Sequence, residues 1–242
     1  MEKIELNGGC YVLPPGIEGT LNLKKVIGGL FGAKHLSQQI MTLGQAPTPI
    51  LSFGKSQVVL FVLAGTPTIT IAGKAFQAGP ETGLSVRPGE AFRVATGGGF
   101  AQILITVCPE HRGFPIVKSL GDNFDDTYPD RLVAPDAAKK EEMGVRTYQV
   151  LVGGKAGSSQ VTQFIGEIPP GKTPPHHHLY EEALYILFGE GRMWTGDTCA
   201  PVGPGSIIFL PSKQEHSLEC ISKDGLRLAG HFYPAGSPAE NY

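Results

Sequence analysis

The sequence predicts an all-β protein built from two tandem copies of one β domain, with helix as a minor component. Three observations carry this expectation. Glycine (33) and proline (20) are scattered through the whole chain of 242 residues. Between them lie short runs rich in Val, Ile, Leu, Phe and Thr, such as VVLFVLAG, TITIAG, QILITV and SIIFLP. Such runs, bounded by Gly and Pro, read as strands joined by tight turns, and few stretches hold a 3.6-residue apolar period for ten residues.

The third observation is a weak internal repeat. Residues 58–92 read VVLFVLAGTPTITIAGKAFQAGPETGLSVRPGEAF and residues 182–216 read EALYILFGEGRMWTGDTCAPVGPGSIIFLPSKQEH. Placing Gly65 on Gly189 superposes two apolar runs, two turn glycines and a hairpin strand. Each copy then reaches a strand that ends in proline, at Pro88 and Pro211, and the small length differences fall in turns. A repeat of this length implies duplication. The expected domains are 1–115 and 146–242. The segment 116–145, charged and proline-containing, reads as a connection with a short helix at AAKKEEM.

Composition narrows the function. Hydrophobic content of 41% and charged content of 17% fit a globular protein, and a net charge of −2 offers no broad attraction to nucleic acid or to anionic membrane surfaces. The N-terminal MEKIELNGGC has no apolar core of a signal peptide, and no apolar run approaches the ~18 residues of a membrane span. Cys10, Cys108, Cys199 and Cys220 are dispersed, so reduced thiols in the cytoplasm are expected rather than a disulfide framework or a Cys₄ zinc site. The expected partner is a small-molecule substrate, and a homodimer stays open.

Residues 174–189, PPHHHLYEEALYILFG, are the candidate site. A helix would put His178 and Glu182 on one face, but the matching stretch of the first copy is dominated by β-branched residues and favours a strand. On a strand His176 and His178 share a face, with Cα atoms roughly 6.6–6.8 Å apart, and His177 points away. Two imidazoles at that spacing can converge on one ion. A straight strand would carry Glu182 ~13 Å beyond His178, so the chain must bend through LYE for a glutamate to join. Parity is lost through a bend, and geometry leaves both Glu181 and Glu182 open.

These residues resemble the motifs of the cupins. The first cupin motif, G-(x)5-H-x-H-(x)3,4-E-(x)6-G, is matched by Gly171, His176, His178, Glu182 and Gly189, with four residues instead of five after the first glycine. The second, G-(x)5-P-x-G-(x)2-H-(x)3-N, is matched by Gly205, Pro211 and His216, with Lys213 in place of glycine and Cys220 in place of asparagine. The resemblance selects Glu182 and implies two tandem jelly-roll barrels, the second holding a metal on His176, His178, Glu182 and His216. Three imidazoles and one carboxylate suit one divalent transition metal, Fe, Mn, Ni, Co or Zn.

In the first copy Ser52, Gly54, Val58 and Arg93 fall opposite these four positions, which implies a metal-free barrel. Tyr180 and Glu181 lie beside the site and could contact substrate. His231 is expected to be a core histidine and Trp194 a packing residue. The resemblance further implies an enzyme acting on a small organic substrate, with the oxygenase type favoured. A non-redox isomerase, a lyase or an aminohydrolase of the ureidoglycine type is the alternative, alongside a small-molecule-binding cupin without catalysis.

Overall fold

The computed structural model describes residues 3–13, 22–111, 115–240 and 242. Among them regular structure is strand, apart from four single turns of 3-10 helix at Asn7–Gly9, Gly29–Phe31, Ala137–Lys139 and Gly154–Ala156. No helix among the described residues is long and apolar enough to cross a membrane. The chain forms two compact units, one of Met1–Ile17, Asp136–Val150 and Thr162–Tyr242, the other of Glu18–Pro135 and Leu151–Val161.

The first of these units holds an eight-stranded sheet and a four-stranded sheet. The larger runs in the order Ile4–Glu5, Tyr11–Leu13, Ile207–Leu210, Glu181–Phe188, Leu226–Tyr233, Thr162–Ile168, Arg146–Val152 and Glu141–Met143. The smaller runs Gly171–Lys172, Ser217–Cys220, Gly191–Thr195 and Thr198–Val202. Alternate residues of both sheets, among them Phe164, Leu184, Met193, Leu218, Leu228 and Phe232, meet in one apolar cluster. This is the sandwich-like closure that lets strands bury one face without leaving it wet.

The second unit repeats the plan. Its six-stranded sheet runs Leu132–Val133, Gly83–Val86, Gln57–Ala64, Ala101–Cys108, Ser37–Leu43 and Asn22–Ile27. Its five-stranded sheet runs Ile116–Val117, Ile50–Ser52, Ala91–Ala95, Thr68–Ile71 and Lys74–Gln77. The two copies agree at the repeat's anchor glycines. Gly65 has φ 83° and Gly189 φ 82°. A Cβ would stand 2.1 Å from the Phe100 carbonyl oxygen in one and 2.3 Å from that of Gly225 in the other. Both turns therefore demand glycine for the same two reasons, a left-handed φ and a backbone passing too close for a side chain.

Three expectations are corrected. AAKKEEM is helical only in its first turn: Asp136 caps the 3-10 turn Ala137–Lys139 by accepting from the Ala138 amide at 3.0 Å, and Glu141–Met143 then pairs with Arg146–Val152 as a strand. A tight hairpin with Gly144 at φ 63° competes successfully with helix propensity there. Residues 3–13 lie outside the expected N-terminal domain, because Tyr11–Leu13 pairs with Ile207–Leu210 in the C-terminal barrel's sheet.

The third correction concerns the first copy's counterparts of the ligand positions. His176 bridges His216 in one copy, and Leu51 pairs with Phe92 in the other. Register thus places Leu51, Phe53, Val58 and Phe92 opposite the quartet, whereas Gly54 and Arg93 are exposed and Ser52 is half-buried. All four counterparts belong to one buried apolar cluster, with Phe53 and Phe92 stacked at 6.3 Å between ring centroids. The position of the site in the second copy is filled by side-chain carbon in the first. Val58→Glu is expected to bury an acid with no partner there, lowering unfolding stability by about 3 kcal/mol or more without creating metal affinity. Thermal melting with and without a divalent ion checks this, and a harmless substitution that bound metal would refute it.

Candidate metal centre

The second copy places its four polar groups by ordinary strand chemistry. In Glu181–Phe188 the side chains of Glu182, Leu184 and Ile186 alternate to the inside, the latter two within the barrel's apolar cluster. Glu181 therefore points to the other face of the sheet. The chain bends at Leu179 and Tyr180, which supplies the turn that the spacing required. His176 and His216 face each other as a bridge, exchanging backbone hydrogen bonds of 3.0 and 2.9 Å. Lys213, standing where the cupin motif has glycine, adopts φ 66°. Its amide donates to the His178 carbonyl at 2.7 Å, so the lysine keeps the glycine-like turn that holds the histidine segment.

The side chains converge. Ligand atoms of His176, His178 and His216 lie within 4.8 Å of one another. Glu182 Oε2 stands 3.7 Å from His178 Nε2 and 3.6 Å from His216 Nε2. Two ligands of one ion at 2.1 Å bond lengths lie about 3 Å apart when adjacent and about 4.2 Å apart when opposite, so these spacings suit a shared first-row cation.

Each imidazole is oriented by its other nitrogen. Nδ1 of His176 meets the Pro174 carbonyl at 2.9 Å, Nδ1 of His216 the Gln214 carbonyl at 2.9 Å, and Nδ1 of His178 the Glu240 carbonyl at 2.8 Å. A carbonyl can only accept, so all three neutral rings carry their proton on Nδ1 and present a bare Nε2 lone pair inward. Glu182 Oε2 is buried and has no hydrogen-bond partner. At 3.6 Å and beyond it cannot share a proton with an imidazole. Lone pairs of three rings and one carboxylate thus point at a common centre, and a divalent cation is the group that satisfies them all.

Burial sets the titration of the cluster. It pushes the Glu182 carboxyl up to about 8, only partly offset by the Arg146 cation. It pushes His176 down to about 4 and His216 down to about 3, and lowers His178 as well. His176 and His216 therefore stay neutral well below the ordinary histidine range, and His178 is shifted in the same direction by the same burial.

A cavity of about 50 Å³ opens beside the four groups. Its wall is largely apolar, from Met143, Phe164, Leu184, Met193, Leu218 and Phe232, with Arg146 as its cationic member. The sequence reading missed Arg146, which follows a segment read as a connection. The signal that could have found it is the glycine-containing hairpin of EEMGVRT.

The other singled-out residues take structural places. His177 exchanges backbone hydrogen bonds with Tyr242, which its ring stacks against at 5.9 Å. Tyr180 stacks on His178 and donates to the Glu240 carboxylate instead of lining the cavity. His231 is fully buried against Gln163, 2.9 Å between Nε2 atoms, and burial pushes it down to about 3. The Trp194 indole donates to Glu219 at 2.9 Å, with Lys172 over its ring at 3.9 Å.

Comparison with known proteins agrees with the geometry. Residues 164–230 match the family model described as Cupin domain. E. coli Ylba is similar over 98% of this chain and 96% of its own, with a TM-score of 0.70 and 18% identity. Bacillus subtilis oxalate decarboxylase, studied for its Mn(II) centres, is similar over 100% of this chain and 76% of its own, with a TM-score of 0.72 and 14% identity. Salicylate 1,2-dioxygenase from Pseudoaminobacter salicylatoxidans is similar over 87% of this chain and 76% of its own, with a TM-score of 0.68 and 12% identity. At these identities the likeness is one of fold. Residues 164–230 resemble a cupin domain, and the chain has the fold of these two-barrel proteins.

The pKa shifts fix how the metal-free protein should respond to pH. The histidines bind protons more readily unfolded, from about 6.5 downward, so their contribution to stability grows as pH rises to about 6.5. Glu182 acts oppositely. Its folded form holds a proton up to about 8 against about 4.3 unfolded, so its contribution is fully present below about 4.3 and is lost as pH rises through 8. Above about 6.5 the Glu182 effect acts without opposition from the histidines. Melting temperatures in chelator should therefore fall between about pH 6.5 and 8.5, and Glu182→Gln should abolish the fall. A wild-type curve that stays flat or rises across that window would contradict the buried, unpartnered carboxylate.

Proposed function

We propose that this cupin barrel is the active site of a metal-dependent enzyme acting on a small organic substrate. His176, His178, Glu182 and His216 hold one divalent transition metal, Fe, Mn, Ni, Co or Zn. The observation that carries the proposal is the combination of three imidazoles whose ring protons are committed to backbone carbonyls and a buried carboxylate oxygen without a partner. When bound, such an ion supplies open coordination positions and, if redox-active, a route for electrons from substrate to dioxygen.

Oxygenase-type chemistry is the form we favour, because the cavity wall provides no free general base among its described residues. Glu167 accepts from Lys140 at 2.6 Å and Thr147 at 3.1 Å and pairs with Arg227. The Tyr148 hydroxyl donates to Glu141 at 2.7 Å. An isomerase, lyase or aminohydrolase usually moves a proton through a positioned side chain. Here the chain's own residues do something simpler: they shape an apolar pocket, exclude bulk water and orient four ligands.

Elemental analysis of protein purified without added metal should find about one divalent ion per chain, and His216→Ala should lose most of it. The wild-type protein loaded with Fe(II) without air should consume oxygen when offered keto compounds small enough for the cavity of about 50 Å³. Turnover of such a compound without oxygen uptake would replace the oxygenase reading by the Lewis-acid one. A stoichiometry near two, or undiminished metal in the variant, would overturn the site itself.

The C-terminal tail gives a second test. Deleting residues 238–242 removes the Glu240 carbonyl that fixes the His178 tautomer. Metal affinity should fall about 10- to 100-fold, the usual effect of losing such an outer partner. An unchanged dissociation constant would mean that the tail plays no part in holding the ligand.

A further inference from the structure

Arg146 is the cationic group in the wall of the cavity, and its place follows from the local backbone. Met143 and Arg146 face each other across a two-residue hairpin turn with Gly144 at φ 63° in its first position, a conformation that favours glycine. Tyr148, two residues on, is buried within the barrel's apolar cluster. Arg146 therefore shares its inward face. Opposite, Gly166 lies between the inward side chains Phe164 and Ile168, and a Cβ there would stand 3.2 Å from Leu228 Cδ1. Leu228 and Phe164 close over the bare glycine, which lines the same cavity as Arg146.

The guanidinium carries an unanswered charge. No carboxylate lies within ion-pair distance of it among the described residues, whereas Arg87, Arg131, Arg192 and Arg227 each have an acidic partner. Burial lowers the Arg146 pKa, and Glu182 acts on it electrostatically in the opposite sense. Its charge is felt at all three histidines. A half-buried guanidinium facing an apolar cavity, close to but not paired with the polar cluster, is poised for a planar anion.

We infer that Arg146 anchors the carboxylate of the substrate, so that the site takes a small organic acid in preference to a neutral molecule of the same size. This rests on the metal-dependent reading above for the other end of the substrate, but not for the anchor itself. The cavity of about 50 Å³ would hold roughly three to five waters, which limits the acid to about two or three carbons unless the wall moves. A carboxylate held by the guanidinium would leave the opposite end of the molecule facing His176, His178, Glu182 and His216, so one residue would set both the charge class and the orientation.

The test compares pyruvate with pyruvamide, which has nearly the same shape and no charge. Each is titrated calorimetrically into wild type, Arg146→Gln and Arg146→Lys, once in chelator and once with one equivalent of Zn²⁺. The chelator arm isolates the guanidinium, since any metal would also prefer a carboxylate. Wild type should bind pyruvate at least about tenfold more tightly than pyruvamide in that arm. Arg146→Gln should lose the difference and Arg146→Lys keep part of it, with melting temperatures close to wild type. No preference for pyruvate in wild type, or an undiminished preference in Arg146→Gln, overturns the anchor. Failure of wild type to take up Zn²⁺, with the charge preference intact, overturns the metal reading and leaves the anchor standing.

Discussion

A carboxylate oxygen removed from water needs a partner, and Glu182 Oε2 has none. That atom is buried, and the two nearest imidazole nitrogens stand 3.6 and 3.7 Å away with lone pairs turned towards it. Without a cation this arrangement is unfavourable in every direction, and the protein responds by holding the carboxyl protonated up to about 8. The surrounding structure can be understood as what keeps the conflict in place. A sheet strand fixes Glu182, a backbone bridge fixes His176 to His216, and three carbonyls fix the imidazole tautomers. The fold has to be stable enough elsewhere to sustain it, which is the ordinary condition of a functional site.

The two copies of the repeat show the alternatives open to one scaffold. Where the C-terminal barrel has His176, His178, Glu182 and His216, the N-terminal barrel has Leu51, Phe53, Val58 and Phe92. All four lie in its apolar cluster. Apolar filling stabilises through buried area and close packing and asks nothing of a ligand. The polar set sacrifices that stabilisation locally and gains a place where a cation and a small molecule can meet. The shared anchor glycines, Gly65 and Gly189, indicate that backbone constraints survived while the chemistry of the interior diverged.

Much of this was legible in the sequence, and for identifiable reasons. The alternation of short apolar runs with Gly and Pro specifies strands and turns locally, so the all-β class follows without long-range information. The candidate quartet was reachable through the resemblance to the cupin motifs, because spacing alone left Glu181 and Glu182 open. What escaped depended on contacts distant in sequence or on register. Tyr11–Leu13 extends a sheet whose next strand begins nearly two hundred residues later. Arg146 sits behind a hairpin that composition disguised as a connection, and Glu240 reaches His178 from the C-terminal tail. In the first copy Val58 was placed correctly, but Ser52, Gly54 and Arg93 each lie one residue from the buried counterparts Leu51, Phe53 and Phe92, which on a β-strand is the difference between inside and outside.

The central claim is that His176, His178, Glu182 and His216 share one metal ion. The most direct measurement is anomalous diffraction at the absorption edge of the bound metal, from crystals of the wild-type protein grown after loading with Mn²⁺ or Co²⁺. The account predicts a single strong peak within about 2.0–2.3 Å of all three Nε2 atoms and a Glu182 carboxylate oxygen. A peak elsewhere, or an empty centre in crystals whose protein carries stoichiometric metal, would contradict it.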